Sequence, residues 1–279
     1  MSISLQLKKQ IIDIMPRSII DFLRNQLSLA IIPRHKESVI SDLFPFRIHD
    51  GWETHFELLN VPVLIDPIHQ IDKVYNVRLI FFDENGVFIH EWIHKEHGCN
   101  RQTICLNDII KDKSISGYGT FACFHQNYLE CLQVQGGFLA ERGYTGYSNK
   151  NFSIVKGYVH GNLDAIALNK NGELLCLGKS FVLRKNEYRL QHLLEGPATY
   201  EFGFVNTSAS EQYLFLEIIS KHNQSRKTEK KHIPSRGVIW FYVNVTENDP
   251  LRVIVHSKLN LPRPVIFRLE NKSFDVFHG

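Results

Sequence analysis

The sequence predicts a mainly β protein: one or two antiparallel β-sandwich modules of immunoglobulin-like type, preceded by a pair of N-terminal α-helices. Three observations carry this expectation. Asp83-Glu84-Asn85-Gly86 stands between the apolar runs 77–82 and 87–92. Asn169-Lys170-Asn171-Gly172 stands in the same way between 165–168 and 174–177. Asn-Gly between apolar strands signals a hairpin, because Gly and, more than most residues, Asn tolerate the positive φ of a type I′ turn. Finally, 19 Phe and 10 Tyr against two Met tilt the chain toward strands, where aromatic side chains pack well on a pleated surface.

Taken in order, residues 4–32 place Leu5, Ile11, Ile12, Met15, Ile19, Ile20, Leu23 and Leu27 at helical spacing among charged residues. Two helices are expected, broken at Pro16, the second over 17–29, since Pro ends one helix and is accepted in the first turn of the next. Their apolar face is expected to pack on the β domain or to dock on a partner or a membrane surface. Residues 33–50 contain Pro45 and read as a connector, so that 1–50 forms a helical segment and connector. Strands over 54–59, 77–82, 87–94, 102–106 and 120–125, with a short helical or turn segment at 107–113, make 51–135 a first sandwich module. Residues 136–195 form a central hairpin and loop region. Strands at 199–205, 212–220, 231–234, 238–245, 252–257 and 265–269 make 196–279 a second module. Short strands between turn signals, without βαβ alternation, argue for antiparallel sheets.

With 279 residues the chain can bury a sizeable core without staples. Its 32 basic and 29 acidic residues nearly balance, so no global field steers it toward nucleic acid, and no nucleic-acid partner is expected. The densest basic stretch is Lys221, Arg226, Lys227, Lys230 and Lys231 around Glu229. It holds no aromatics and reads as a solvated hairpin loop. Five cysteines, Cys99, Cys105, Cys123, Cys131 and Cys176, are odd in number and irregularly spaced, as in a reduced, cytoplasmic protein. Asp13, Pro16, Arg17 and Asp21 interrupt any signal-peptide core, and no transmembrane segment is expected.

His90-Glu91-Trp92-Ile93-His94 matches H-E-x-x-H in letters. That motif ligates zinc only on a helix, where residues four apart share a face and the Glu activates the bound water. Here it follows an Asn-Gly turn and reads as a strand, which puts Glu91 on the opposite face from His90 and His94. No metal and no cofactor are expected. There is no G-x-S-x-G elbow, phosphate loop or dinucleotide fingerprint either.

The site candidate is the Gly-rich stretch Glu141-Arg142-Gly143-Tyr144-Thr145-Gly146-Tyr147 together with Tyr158-Val159-His160-Gly161-Asn162-Leu163-Asp164. Glycines bracketing charged and aromatic residues present side chains around a concavity. Tyr144, Tyr147 and Tyr158 offer flat apolar faces with hydroxyls and Arg142 an anion-binding fork. Glu141, His160, Asn162 and Asp164 offer hydrogen-bonding or acid–base groups. The plain structural alternative is Gly turns with a buried ion pair of Glu141–Arg142 type and tyrosines capping the core. These residues point to a non-catalytic binding protein whose ligand is a carbohydrate or another protein. The competing readings are a hydrolase-like enzyme using His160 with Asp164 or Glu141, metal-assisted or not, and a peripheral membrane or scaffold protein held by its N-terminal helices.

Overall fold

The computed structural model describes residues 16, 19, 39–60, 63, 68, 74–97, 101–111, 113, 115–125, 140, 141, 143–152, 157–169, 171–180, 185–190, 192–222, 224–246, 249–260 and 263–279. For 96, 97, 140, 141 and 162–164 only the backbone is described. The helices expected over 4–32 lie outside the described residues, Pro16 and Ile19 apart.

The first half carries β1 (Val39–Arg47), β2 (Trp52–Leu59), β3 (Val74–Asp83), β4 (Phe88–His97), β5 (Arg101–Cys105), the one-turn helix α1 (Leu106–Ile110) and β6 (Tyr118–His125). Then come β7 (Ala140–Glu141), β8 (Gly143–Asn149), β9 (Gly157–His160), β10 (Asn162–Leu168), β11 (Leu174–Cys176) and β12 (Asn186–Arg189). The last part holds β13 (Ala198–Val205), β14 (Gln212–Ser220), β15 (Arg226–Ile233), β16 (Val238–Val245), β17 (Leu251–Ser257), β18 (Val265–Leu269) and β19 (Phe274–His278).

The chain is mainly β, and its strands form small antiparallel sheets in a four-sheet, propeller-like arrangement. The first sheet runs β11-β10-β1-β6-β3-β4, with β7 paired in parallel on β1. The second runs β5-β2-β8-β9, the third β16-β13-β18-β19 and the fourth β12-β17-β14-β15.

Three apolar seams join them in succession. Phe44, Phe46, Phe81 and Phe121 of the first sheet meet Phe56, Leu58, Ile104 and Leu106 on the second. Ile80, Phe82, Ala122 and Phe124, on the first sheet's other face, share a core with Val205, Val238, Val265 and Phe267 of the third, and Trp52 and Tyr147 enter it from the second. Phe202, Phe204, Phe241 and Val243, on the third sheet's far side, pack on Leu214, Leu216, Val253 and Val255 of the fourth.

The immunoglobulin-like sandwich modules expected from the sequence are therefore replaced by this arrangement. The physical reason is β1. Residues 39–47 are buried throughout and form a central strand where a connector was expected. Its N-terminal half pairs with β10 and, after a register shift between Ser41 and Leu43, its C-terminal half pairs with β6. One sheet thus draws strands from the N-terminal, first and central segments together, and the seam behind it is shared with the third sheet. Pro45 hid the strand, because proline has no amide to give a ladder. Its carbonyl is used instead by the Tyr147 hydroxyl, at 2.7 Å.

Both Asn-Gly hairpins exist, in a different turn from the expected type I′. Gly86 (φ 75°) and Gly172 (φ 79°) are left-handed, while Asn85 and Asn171 are not. Each is a three-residue loop closed by a glycine bulge. The Asp83 carboxylate accepts from the amides of Asn85 and Val87, and the Asn169 side chain accepts from those of Asn171 and Glu173. The two loops differ in surroundings. A Cβ at Gly86 would stand 1.8 Å from the Ser235 carbonyl oxygen in the β15–β16 turn, whereas one at Gly172 would meet nothing within 4 Å. The Val238 amide also donates to the Glu84 carbonyl at 3.1 Å, so this hairpin clasps the C-terminal half.

A charge lies in the central seam. Arg47, 3% exposed, donates from Nη1 to Glu201 of β13 at 2.6 Å. Its guanidinium stands 3.9 Å from the Trp52 ring centre and 4.8 Å from that of Phe267. The aromatic faces attract the cation where water is excluded. No helix among the described residues is long and apolar enough to cross a membrane.

Two stability experiments follow from these contacts. Gly172→Ala should cost about 1 kcal/mol, the penalty of a left-handed alanine. Gly86→Ala should cost at least about 2 kcal/mol more, because the carbonyl it strikes is backbone; equal losses in urea titrations would refute the clasp. Arg47→Met and Glu201→Gln should each destabilise by about 3–5 kcal/mol by orphaning a buried partner, and the combined variant by clearly less than their sum.

Candidate functional site

Period-two alternation decides which side of the second sheet is open. Along β2, Trp52, Thr54, Phe56 and Leu58 turn to the core, leaving Glu53, His55 and Glu57 on the outer face. Strand pairing sets Thr103 of β5, Tyr144 of β8 and His160 of β9 in one row across Glu57. The next row is Cys105, His55, Gly146 and Tyr158.

Glu57 is the hub of this face. Its carboxylate accepts from Arg101 Nε at 2.6 Å, from the Thr103 hydroxyl at 2.9 Å and from the Tyr158 hydroxyl at 3.2 Å. Its side chain is 4% exposed under an Arg101 that is 59% exposed. Burial pushes its carboxyl pKa up, but the bonds from Arg101, Thr103 and Tyr158 outweigh it and hold the group below its ordinary value. The Tyr158 hydroxyl is raised, first by burial and then by the adjacent Glu57 charge. A carboxylate held this way remains an anionic acceptor and is a poor proton donor near neutrality.

The aromatic part comes from β8 and β9. Tyr144 and Tyr158 are 37% and 41% exposed. The Tyr144 and His160 rings lie 4.5 Å apart, tilted by 49°. Tyr158 lies flat across Gly146, where a Cβ would come within 2.5 Å of the ring. That close approach carries the hydroxyl to Glu57.

Of the residues singled out in the sequence, Tyr144, Tyr158 and His160 converge here. Tyr147 does not: the same strand turns it into the core, fully buried, with its hydroxyl on Pro45. Glu141 belongs to β7 and pairs with Ser41, and Asn162 and Asp164 belong to β10, all in the first sheet. Their side chains, and all of Arg142, lie outside the described residues. The stretch expected as a loop is strand at 143–149 and 157–160. Sequence reading missed Glu57, Arg101 and Thr103, which reach the site only through cross-strand pairing; the alternation Glu53, His55, Glu57 opposite Trp52, Thr54, Phe56 was the available signal.

The other motif is strand as expected. On β4, Glu91 turns to Arg78 in a two-bond ion pair of 2.7 and 2.8 Å. Trp92 stacks on His94, whose Nε2 lies 2.7 Å from Gln102 Oε1. The zincin geometry of two histidines and a glutamate on one helical face is not formed by this strand.

No family model and no curated protein matches the chain. Among solved structures, a β-glucuronidase of Bacteroides uniformis aligns at 10% identity over 85% of this chain and 25% of its own, with a TM-score of 0.17. The major pilin of Streptococcus pyogenes aligns at 10% identity over 86% of this chain and 91% of its own, at 0.21. The chain spans about a quarter of the glucuronidase's length, and superpositions this poor transfer neither fold nor activity.

The depressed Glu57 pKa has a sign. Its stabilising contribution is fully present above the unfolded value of 4.5 and is lost as pH falls through the lower folded value. Arg101→Gln should move the Glu57 titration, followed by carboxyl NMR, up toward 4.5 and flatten the acid side of the stability profile. An unmoved titration would show that Arg101 is not what holds the carboxylate.

Proposed function

We propose that this chain is a non-catalytic binding protein and that its ligand, a carbohydrate, lies on the outer face of the second sheet. The observation that carries the reading is two part-exposed tyrosine rings, Tyr144 and Tyr158, flanking one hydrogen-bonded carboxylate, Glu57, beneath an exposed Arg101. Sugar rings offer apolar C–H faces and edges of hydroxyls. The tyrosines meet the first, and the acceptor oxygens of Glu57 with the remaining Arg101 donors meet the second. Every partner of Glu57 fixes it as an anion, which suits recognition better than proton transfer.

The test is glycan-array screening followed by calorimetry on the glycans retained. Tyr144→Ala and Tyr158→Ala should each weaken binding about tenfold, or ~1.4 kcal/mol. Melting temperature should shift by less than about 2 °C, because both rings are part-exposed. Glycans bound equally by both variants, or retention of a protein and no glycan, would overturn the carbohydrate reading. Turnover of an aryl glycoside or ester that is lost in His160→Ala would replace it with the hydrolase reading.

A further inference from the structure

Among the described residues, the fourth sheet is covered on one side only. Along β14, Leu214, Leu216 and Ile218 are buried, while Tyr213, Phe215, Glu217 and Ile219 turn outward. On its edge lies β15, the basic stretch whose sequence holds no aromatics. Pairing supplies them: Tyr213 stands opposite His232, Phe215 opposite Lys230 and Ile219 opposite Arg226. Lys230 Nζ is 4.2 Å from the Tyr213 ring centre, and Lys185 Nζ is 4.5 Å from that of Phe215. Tyr213 is 51% exposed.

Charge gathers on this sheet as well. Residues 185–189, 211–233 and 251–258 carry nine Lys and Arg against four Glu, an excess of five in a chain whose total excess is three. The remainder of the chain is therefore net acidic. All four of those glutamates are engaged: Glu187 by Arg189, Glu217 by Arg226 and His256, Glu211 by His232 and Glu229 by Lys231.

We propose that the outer face of the fourth sheet binds single-stranded nucleic acid, its phosphates on Lys185, Arg226, Lys230 and Arg252 and its bases on Tyr213 and Phe215. Aromatic rings on a sheet face, bordered by cations, are what a flexible polyanion with stackable bases requires. A membrane surface would need protruding apolar side chains at a rim, and a sulfated polysaccharide, whose puckered rings overlap an aromatic face less than planar bases do, is tested by heparin below. The surface is separate from the Glu57 face and stands without that reading.

The experiment is fluorescence anisotropy with labelled oligo-dT and oligo-rU of about 15 nucleotides, from about 50 to 200 mM NaCl. Binding should weaken with salt at a slope of about −0.7 per phosphate engaged. Lys230→Glu should lose about tenfold and flatten the slope by about one contact, with Lys230→Gln as a milder variant that keeps the strand intact. Tyr213→Ala should lose about fivefold or more without changing the melting temperature. Lys95→Glu on β4 should bind as wild type. No binding at about 50 mM NaCl overturns the proposal. So does wild-type affinity in both Tyr213→Ala and Lys230→Glu, or binding that heparin abolishes while Tyr213→Ala leaves it unchanged.

Discussion

The buried guanidinium of Arg47 is the constraint around which the sheets are arranged. A charge taken out of water is costly unless it is met by an opposite charge, hydrogen bonds or polarisable faces. Here three sheets meet: Arg47 is on β1, Trp52 on β2, and Glu201, Phe267 and Trp240, the last at 5.4 Å, are on β13, β18 and β16 of the third sheet. Its Nε is buried without a hydrogen bond, so the rings provide what no acceptor does. Were the halves to separate, Arg47 and Glu201 would lose each other. A bead-like pair of independent modules is incompatible with that contact. Thr54, which exchanges hydrogen bonds with the Arg47 backbone at 3.0 and 2.6 Å, fixes the strand from which the guanidinium projects.

The hairpin clasp complements the ion pair at the same end of the first sheet, where Asp83 faces Gly119 beside the Arg47–Tyr118 pair. Gly86 accepts the β15–β16 turn against its backbone, and the Thr120 hydroxyl donates to the Arg236 carbonyl at 2.5 Å. Arg236 in turn lies 5.0 Å from the Phe82 ring centre. Two contacts of different chemistry therefore pin one end of the same seam.

Much of this was legible. Strands read from 212–220, 238–245 and 265–269 match β14, β16 and β18 residue for residue, because their apolar and aromatic density leaves little alternative. What was not legible has physical causes. Pro45 masked β1, although Val39, Ile40, Leu43, Phe44 and Phe46 are all core. The glycines at 143 and 146 suggested loop, when each is a strand position without room for a side chain: Cβ atoms there would strike Phe56 and Tyr158. At the candidate site, Tyr144, Tyr158 and His160 could be picked out from local composition, but Glu57 and Arg101 could not. They lie some 40 to 100 residues away along the chain and arrive by pairing. The basic stretch at 226–231 failed in the same way, since its aromatic neighbours belong to another strand.

The seams also explain why the two proposed binding faces are where they are. The first and third sheets are covered on both sides, and their middle strands β1, β6 and β13 are buried nearly end to end. Such strands read as continuous apolar runs, as Phe202, Phe204 and Val205 do, and have no face left for a ligand. The second and fourth sheets are each covered once among the described residues, and their strands alternate: Glu53, His55 and Glu57 on β2, Tyr213, Phe215 and Glu217 on β14. A polar or exposed aromatic side chain on those outer faces costs the core nothing, so chemistry can accumulate there while β1 and β13 hold the stack together. The order of the sheets thus decides which residues of the chain are available to a partner at all.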